Sequence, residues 1–255
     1  MFCGSCGKQV PEGSGFCPGC GAAAGGGAPG QAATPGAAGG PSAAAAQRAR
    51  LEAQFKAGSQ DAVAAVKVLL SDPVGGLAKS FSMFDSSRAQ IVGGIFGAVY
   101  ALAATIAFSI MGSLIMGFAM AANPMAMGVG GFSVPFSVYV KIFVAFVGEF
   151  VGLVVGCLLV RTIFKGAGDL ASDIYMSGAS FLPVGLGLLA GSLLGQVHFS
   201  LALVCLVFGS SYAVLMLNAG CSKINKLSDG MSALGVPIVI SVGLFSFGIL
   251  MKVLM

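Results

Sequence analysis

Beyond residue 90 the chain is a series of long apolar runs separated by short polar segments, and the spacing of those segments predicts its elements. Ser87 followed by Gln90 has capping-box spacing, so a helix is expected to begin there and to run apolar from Ile91 to about Met120, where Asn123 and Pro124 stop it. A second run, Val138 to Arg161, has Lys141 near one end, placed to snorkel. Thr162 to Ser180 carries Lys165, Asp169 and Asp173 on a partly apolar background, the pattern of an interfacial helix. Phe181 to Asn218 holds no formal charge except an optional one on His198. As one helix it would be ~57 Å long against a hydrocarbon core of ~30 Å, so it divides into two spans. These are placed at Leu182 to Val197 and Ser200 to Asn218, with the turn near Gln196 to Phe199. A fifth span runs from Leu234 to Leu254, with Pro237 tolerated in its first turn.

The residues ahead of the first span are patterned differently. Ala22 to Ala46 is alanine, glycine and proline with almost no large side chain, which cannot offset its ordering entropy and predicts a disordered linker. Arg48 to Lys56 has helix-forming composition. Ser59 can cap a further helix from Gln60 to Ser71 that puts Val63, Val66 and Leu70 on one face and ends at Pro73. Leu77, Phe81 and Phe84 then recur at helical spacing, with Lys79, Asp85 and Arg88 beside them. That face suits either a helix lying on the membrane surface or a packing face against the bundle.

Composition agrees with the pattern. Of 255 residues, 56% are hydrophobic and 9% charged, where soluble proteins carry about a quarter charged, and the mean hydropathy is +0.95. The net charge of +4 is thinly scattered, which argues against a nucleic-acid partner and leaves membrane lipid as the solvent. Lys79, Arg88, Arg161, Lys165, Lys223 and Lys226 fall on one side of a five-span layout, and Lys141 and Lys252 on the other. Positive-inside bias therefore puts the N-terminus in the cytosol and the C-terminus outside. The first residues are cysteines, glycines and Pro11, without the basic start and apolar run of a secretory signal, so the head is expected to stay in a reducing compartment.

Phe2 to Gly7 and Phe16 to Gly21 are near-repeats, each with two cysteines three positions apart followed by glycine. That gap lets the backbone turn so that both sulfurs meet one ion, and the glycine accepts the left-handed conformation the turn needs. Cys3, Cys6, Cys17 and Cys20 then complete a tetrahedral four-thiolate site for one structural Zn2+, with no vacant position for catalysis. The segment resembles the short bacterial zinc ribbons often fused to membrane segments, with all four ligand positions matching and Gly4 in place of the usual proline. The fold class is thus an all-α membrane bundle of five transmembrane helices, with a small N-terminal four-cysteine zinc ribbon on a disordered linker. The divisions are 1–22 ribbon, 23–46 linker, 47–90 juxtamembrane amphipathic helices and 91–254 membrane domain.

Over about Asp61 to Leu254 this layout resembles the Ypt-interacting (YIP) family of five-span membrane proteins and its bacterial relatives. The points of likeness are the helix ending at Pro73, the Gly166 to Asp173 segment and the small-residue third span after Pro183. In eukaryotes the family is linked to Rab-type GTPases and vesicle traffic; its acidic Asp-Leu-Tyr-Gly-Pro segment has no counterpart here. The resemblance implies a multi-pass protein of a bacterial inner membrane.

Within the spans, Glu149 is the one acid at depth, and it shares a helix face with Ala145, Gly152 and Gly156. It reads either as a protonatable group for ion coupling or as a structural acid, hydrogen-bonded to a Ser or Tyr of a neighbouring span or carried neutral. The stripes Gly148, Gly152, Gly156 and Gly187, Gly191, Gly195 permit close backbone approach, as does Gly93 with Gly97. They predict that the second and third spans cross on them, or that one mediates a homo-oligomer. His198 in a turn reads as a solvated or capping residue, and Cys157, Cys205 and Cys221 as small hydrophobes. No nucleophile with a base, phosphate-cradling loop or paired carboxylates is found, so no enzyme is expected. The functional expectation is a membrane-anchored adaptor or organising protein whose cytosolic head binds an as yet unidentified cytosolic or membrane protein. The alternative is a small channel or transporter with Glu149 as a buried coupling or gating group.

Overall fold

The computed structural model describes Gln9 and residues 43–72, 75–122 and 135–254. The zinc ribbon, the linker up to residue 42, Pro73 and the Asn123–Pro124 stop lie outside the described residues. The chain divides into two compact units, Met1–Ala46 and Gln47–Met255. The described part of the second unit is all-helical: α1 Ala43–Ser71, α2 Gly76–Phe81, α3 Ser86–Ala122, α4 Phe136–Ile163, α5 Leu170–Leu194, α6 Phe199–Lys223 and α7 Asp229–Leu254. Within α3 to α7, five stretches are long and apolar enough to cross a membrane: Ser86–Gly112, Phe136–Ile163, Leu170–Leu194, Phe199–Lys223 and Asp229–Leu254.

The five alternate in direction. The Arg161 side chain at the end of α4 bonds Asp173 at the start of α5, and the Ser86 hydroxyl at the start of α3 donates to Asp169 just before α5. Hence α3, α5 and α7 start, and α4 and α6 finish, at one end of the bundle. α3 and α5 run parallel and pack broadly. A Cβ on Gly93 would stand 2.6 Å from the Tyr175 Cα, one on Gly178 would meet the Gly93 carbonyl, and one on Gly185 would lie 3.0 Å from the Tyr100 Cα. We expect Gly178→Ala to cost about 1–3 kcal/mol of stability through backbone overpacking. Gly94→Ala, where nothing lies within 4 Å, should be neutral or slightly stabilising. Thermal melts of both variants in detergent would check this, and equal melting would show that the α3–α5 crossing tolerates separation.

Several boundaries differ from the sequence expectation for local reasons. α1 is a single helix that begins at Ala43, inside the expected linker, and Ser59 does not break it: the hydroxyl donates back to the Lys56 carbonyl at 2.8 Å. The face that α1 turns to the bundle is Ala62, Ala65 and Leu69, because alanines allow closer approach, while Val63 and Leu70 are exposed. α3 starts at Ser86, capped by the Asp85 carboxylate, which accepts from the Arg88 amide at 2.8 Å, so the expected Ser87 cap is one turn position inside the helix. Pro237 sits well inside α7 rather than in its first turn.

The short helix α2 is a packing element. Leu77 and Ser80 are buried, and Phe81 and Phe84 lie against the Tyr175 ring at centroid distances of 5.5 and 6.2 Å. Tyr175 donates its hydroxyl to the Ser80 Oγ at 2.6 Å. Of the two readings of that apolar face, the structure selects the one against the bundle.

The largest difference concerns α5. Thr162 to Ser180 is not an interfacial helix; from Leu170 it forms the first half of the third span, buried from Ala171 to Phe181 except at the half-buried Ile174. A capping box starts it: the Ser172 amide donates to the Asp169 carboxylate and the Asp169 amide to the Ser172 hydroxyl. Pro183, expected to open the span, lies within it.

Candidate functional site

Glu149 lies on the buried side of α4 with 6% of its surface exposed. The Tyr100 hydroxyl of α3 donates to its Oε2 at 2.7 Å. The Tyr100 ring meets Phe146 of α4 and Phe181 of α5 edge-on, at 6.1 and 5.5 Å, and Phe146 in turn packs 5.0 Å from Phe247 of α7. An aromatic shell drawn from four helices therefore surrounds one carboxyl group and the hydroxyl that serves it. At this length the bond is short and directional, and it ties α3 to α4 at one rotation.

The glycine stripes do not bring the second and third spans together. The stripe of α4 packs on α7: a Cβ at Gly152 would be 2.7 Å from that of Ser246, one at Gly156 2.8 Å from the Val239 Cα, and one at Gly148 would enter Leu250. The stripe of α5 packs on α6: at Gly187 the obstacle is the Cys205 carbonyl at 2.9 Å, at Gly191 the Ala202 carbonyl at 3.1 Å and at Gly195 the Ala202 Cβ at 3.0 Å. Gly97 accommodates the Phe150 ring. Small residues license a close neighbour without choosing it, and here each stripe is occupied by the next antiparallel helix along the chain or by α7.

A second buried polar cluster was not expected from the sequence. Asp173 is fully buried, and Arg161 reaches it with Nε at 3.0 Å and Nη2 at 2.8 Å while Nη1 donates to the Gly168 carbonyl. Asn225 donates to the other carboxylate oxygen at 3.4 Å and accepts from Ser172 at 3.3 Å, and its own carbonyl takes the Ala167 amide at 2.8 Å. The cluster thus ties the end of α4, the start of α5 and the loop after α6 into one knot. Lys165 and Lys226, one in each of the two loops, both adopt φ of 53°, a left-handed conformation costing about 1–2 kcal/mol for a residue with a Cβ. At the edge of the knot, partial burial of Asp169 works to raise its carboxyl, but the Ser172 amide and the Ser86 hydroxyl outweigh it and hold it below the ordinary carboxylate range. Asp169 is therefore charged at neutral pH and remains an acceptor for the cap.

Two ion pairs form among the described residues, Arg161 with Asp173 and Arg88 with Asp61, and neither involves Glu149. His198 caps α6, its Nδ1 accepting the Ser200 amide at 3.3 Å. Cys157 and Cys221 are buried, Cys157 against the Ser177 hydroxyl at 3.3 Å, and Cys205 is half-buried. No group of three metal-ligating side chains gathers among the described residues.

These features define an all-helical bundle of membrane-spanning dimensions. Ahead of it, residues 2–23 match the family model for a zinc-ribbon domain, and the match includes Cys3, Cys6, Cys17 and Cys20. Four thiolates in two closely spaced pairs are the donor set that zinc takes in closed structural sites. No curated protein and no solved structure matches the chain.

Proposed function

We propose that this chain is a membrane-anchored adaptor of a bacterial inner membrane, similar in layout to the YIP family, whose zinc ribbon binds a protein partner on the cytosolic side. The observation that carries this reading is the zinc-ribbon match at residues 2–23 ahead of five membrane-length helices. A single zinc ion held by the four cysteines would give the head its fold, since a segment this short cannot bury a self-sufficient core. The basic residues of the loops at the α5-start end support a cytosolic position for that end and for the N-terminus, with the C-terminus outside. The bond from Tyr100 supports a structural role for Glu149, and the knot around Asp173 supports a bundle built for rigidity.

Two substitutions test the assignment against coupled transport. In cells, the proteins cross-linked to the intact chain should be lost with Cys17→Ser, which removes a zinc ligand, and kept with Glu149→Gln. An unchanged cross-linking pattern with Cys17→Ser would remove the adaptor reading. A proton-coupled solute flux in proteoliposomes that disappears with Glu149→Gln would replace it with a transporter.

A further inference from the structure

We infer that α1 is an interfacial helix, lying in the lipid headgroup region with Phe55, Val63 and Leu70 among the acyl chains and Lys56 and Lys67 at the level of the phosphates. The inference begins with where α1 is docked. Its Asp61 pairs with Arg88 at 2.7 Å, and Gly58 lies against Ile91, with Ile95 3.4 Å from where a Cβ would stand. Those isoleucines are some 8–14 Å along α3 from its start by the helical rise. Farther on, Leu69 and Leu70 line a cleft with Phe208, Tyr212 and Met216, which are about 11–23 Å from the end of α6. α1 therefore lies along the flank of the bundle, within the outer part of the spans at one end, not on top of it. In a bilayer that level runs from the boundary between headgroups and hydrocarbon into the outer acyl chains.

What α1 presents there is divided by direction. Gly58, Ala62, Ala65 and Leu69 face the bundle and are buried. Turning around the axis at the helical period, Phe55, Val66, Leu70 and Val63 fall next within an arc of roughly 80°, with Ser59 among them and its hydroxyl bonded to the Lys56 carbonyl, and Lys56 and Lys67 follow directly after them. Phe55 is 65% exposed, Val63 58% and Leu70 78%. Water would leave these side chains without a partner, whereas lipid at this level covers them and continues over the exposed apolar flanks of α5 and α6. The lysines at the edge of the stripe complement anionic phosphates, and their stems can run along the apolar surface. Upstream of Phe55 the same flank carries Arg48 and Glu52, so insertion begins at Phe55. The stripe ends at Leu70 on a cleft of about 480 Å³ between α1 and the α5–α6 pair, lined with Leu182, Pro183 and Leu186, which opens toward the acyl chains.

The chain contains no tryptophan, so a single introduced one is a clean reporter. Phe55→Trp, Val63→Trp, Leu70→Trp and, on the water-facing flank, Gln60→Trp would be reconstituted separately in phosphatidylcholine vesicles containing phosphatidylglycerol. Each would be compared with vesicles of the same composition whose acyl chains are brominated. The first three should be quenched several-fold by brominated chains and shielded from aqueous acrylamide, and Gln60→Trp should show the reverse. Acrylamide quenching of all four alike would place α1 in water and overturn the inference. Shielding from both quenchers at Phe55, Val63 and Leu70 would also overturn it, showing that protein, such as a second copy, covers the stripe. Three independent exposed positions keep the test decisive if one variant misfolds.

Discussion

Arg161→Met is expected to destabilise the helical unit by roughly 3–5 kcal/mol, because it leaves the Asp173 carboxylate buried with only Asn225 beside it. Asp173→Asn should be milder, since the stranded partner is then Arg161, 17% exposed and able to swing toward water. The double variant should recover part of the loss, with a coupling of roughly 0.5–3 kcal/mol. Denaturant titration of the four proteins in detergent micelles would measure the cycle. Additive losses would mean that the two residues act separately. An Arg161→Met protein as stable as its parent would mean that the knot does not hold the bundle.

Removing zinc is expected to act on the other unit alone. Structural zinc contributes roughly 10–16 kcal/mol of apparent binding free energy to small ribbons at neutral pH, far more than their own packing supplies. A strong chelator, or Cys17→Ser, should therefore expose the first twenty or so residues to protease while the melting of the helices stays where it was. Bound zinc should be lost with either treatment, and cobalt substitution of the untreated protein should give the absorption of a tetrahedral thiolate site. A chelator that lowered the melting of the helices would show that the ribbon and the bundle fold as one.

The same contrast explains which features could be read in advance. The start of the fourth span, the end of the fifth and the stop of the second were legible because hydropathy is a local property, whereas α6 runs on to Lys223 and α7 begins at Asp229, each five residues beyond the expected bound. The start of α5 was not, because Asp173 and its neighbouring serines lower local hydropathy and their partners lie 12 residues earlier and 52 later. Nothing in a short window announces a partner at that distance. The glycine stripes were legible as surfaces of close approach, but glycine removes an obstacle without specifying a neighbour, so the expected crossing of the second and third spans gave way to α4 on α7 and α5 on α6. In α1 the large side chains drew attention to the wrong flank, since alanines made the contact with the bundle. The aromatic shell of Glu149 follows from three-dimensional convergence of four helices. Only its Tyr or Ser donor could be named as a class.

The polar first half of α5 also bears on how the protein is made. Its most apolar window has a hydropathy of 1.5, the lowest of the five spans, whereas that of α4 has the highest at 2.5. An isolated α5 would enter hydrocarbon with Asp173 unpaired, a cost that the Arg161 guanidinium relieves only once α4 is in place. The two helices are joined by a turn of a few residues that Arg161 itself bridges. During synthesis they form the natural unit of delivery to the bilayer: the strongly apolar segment emerges first and carries its own counter-charge for the segment that follows.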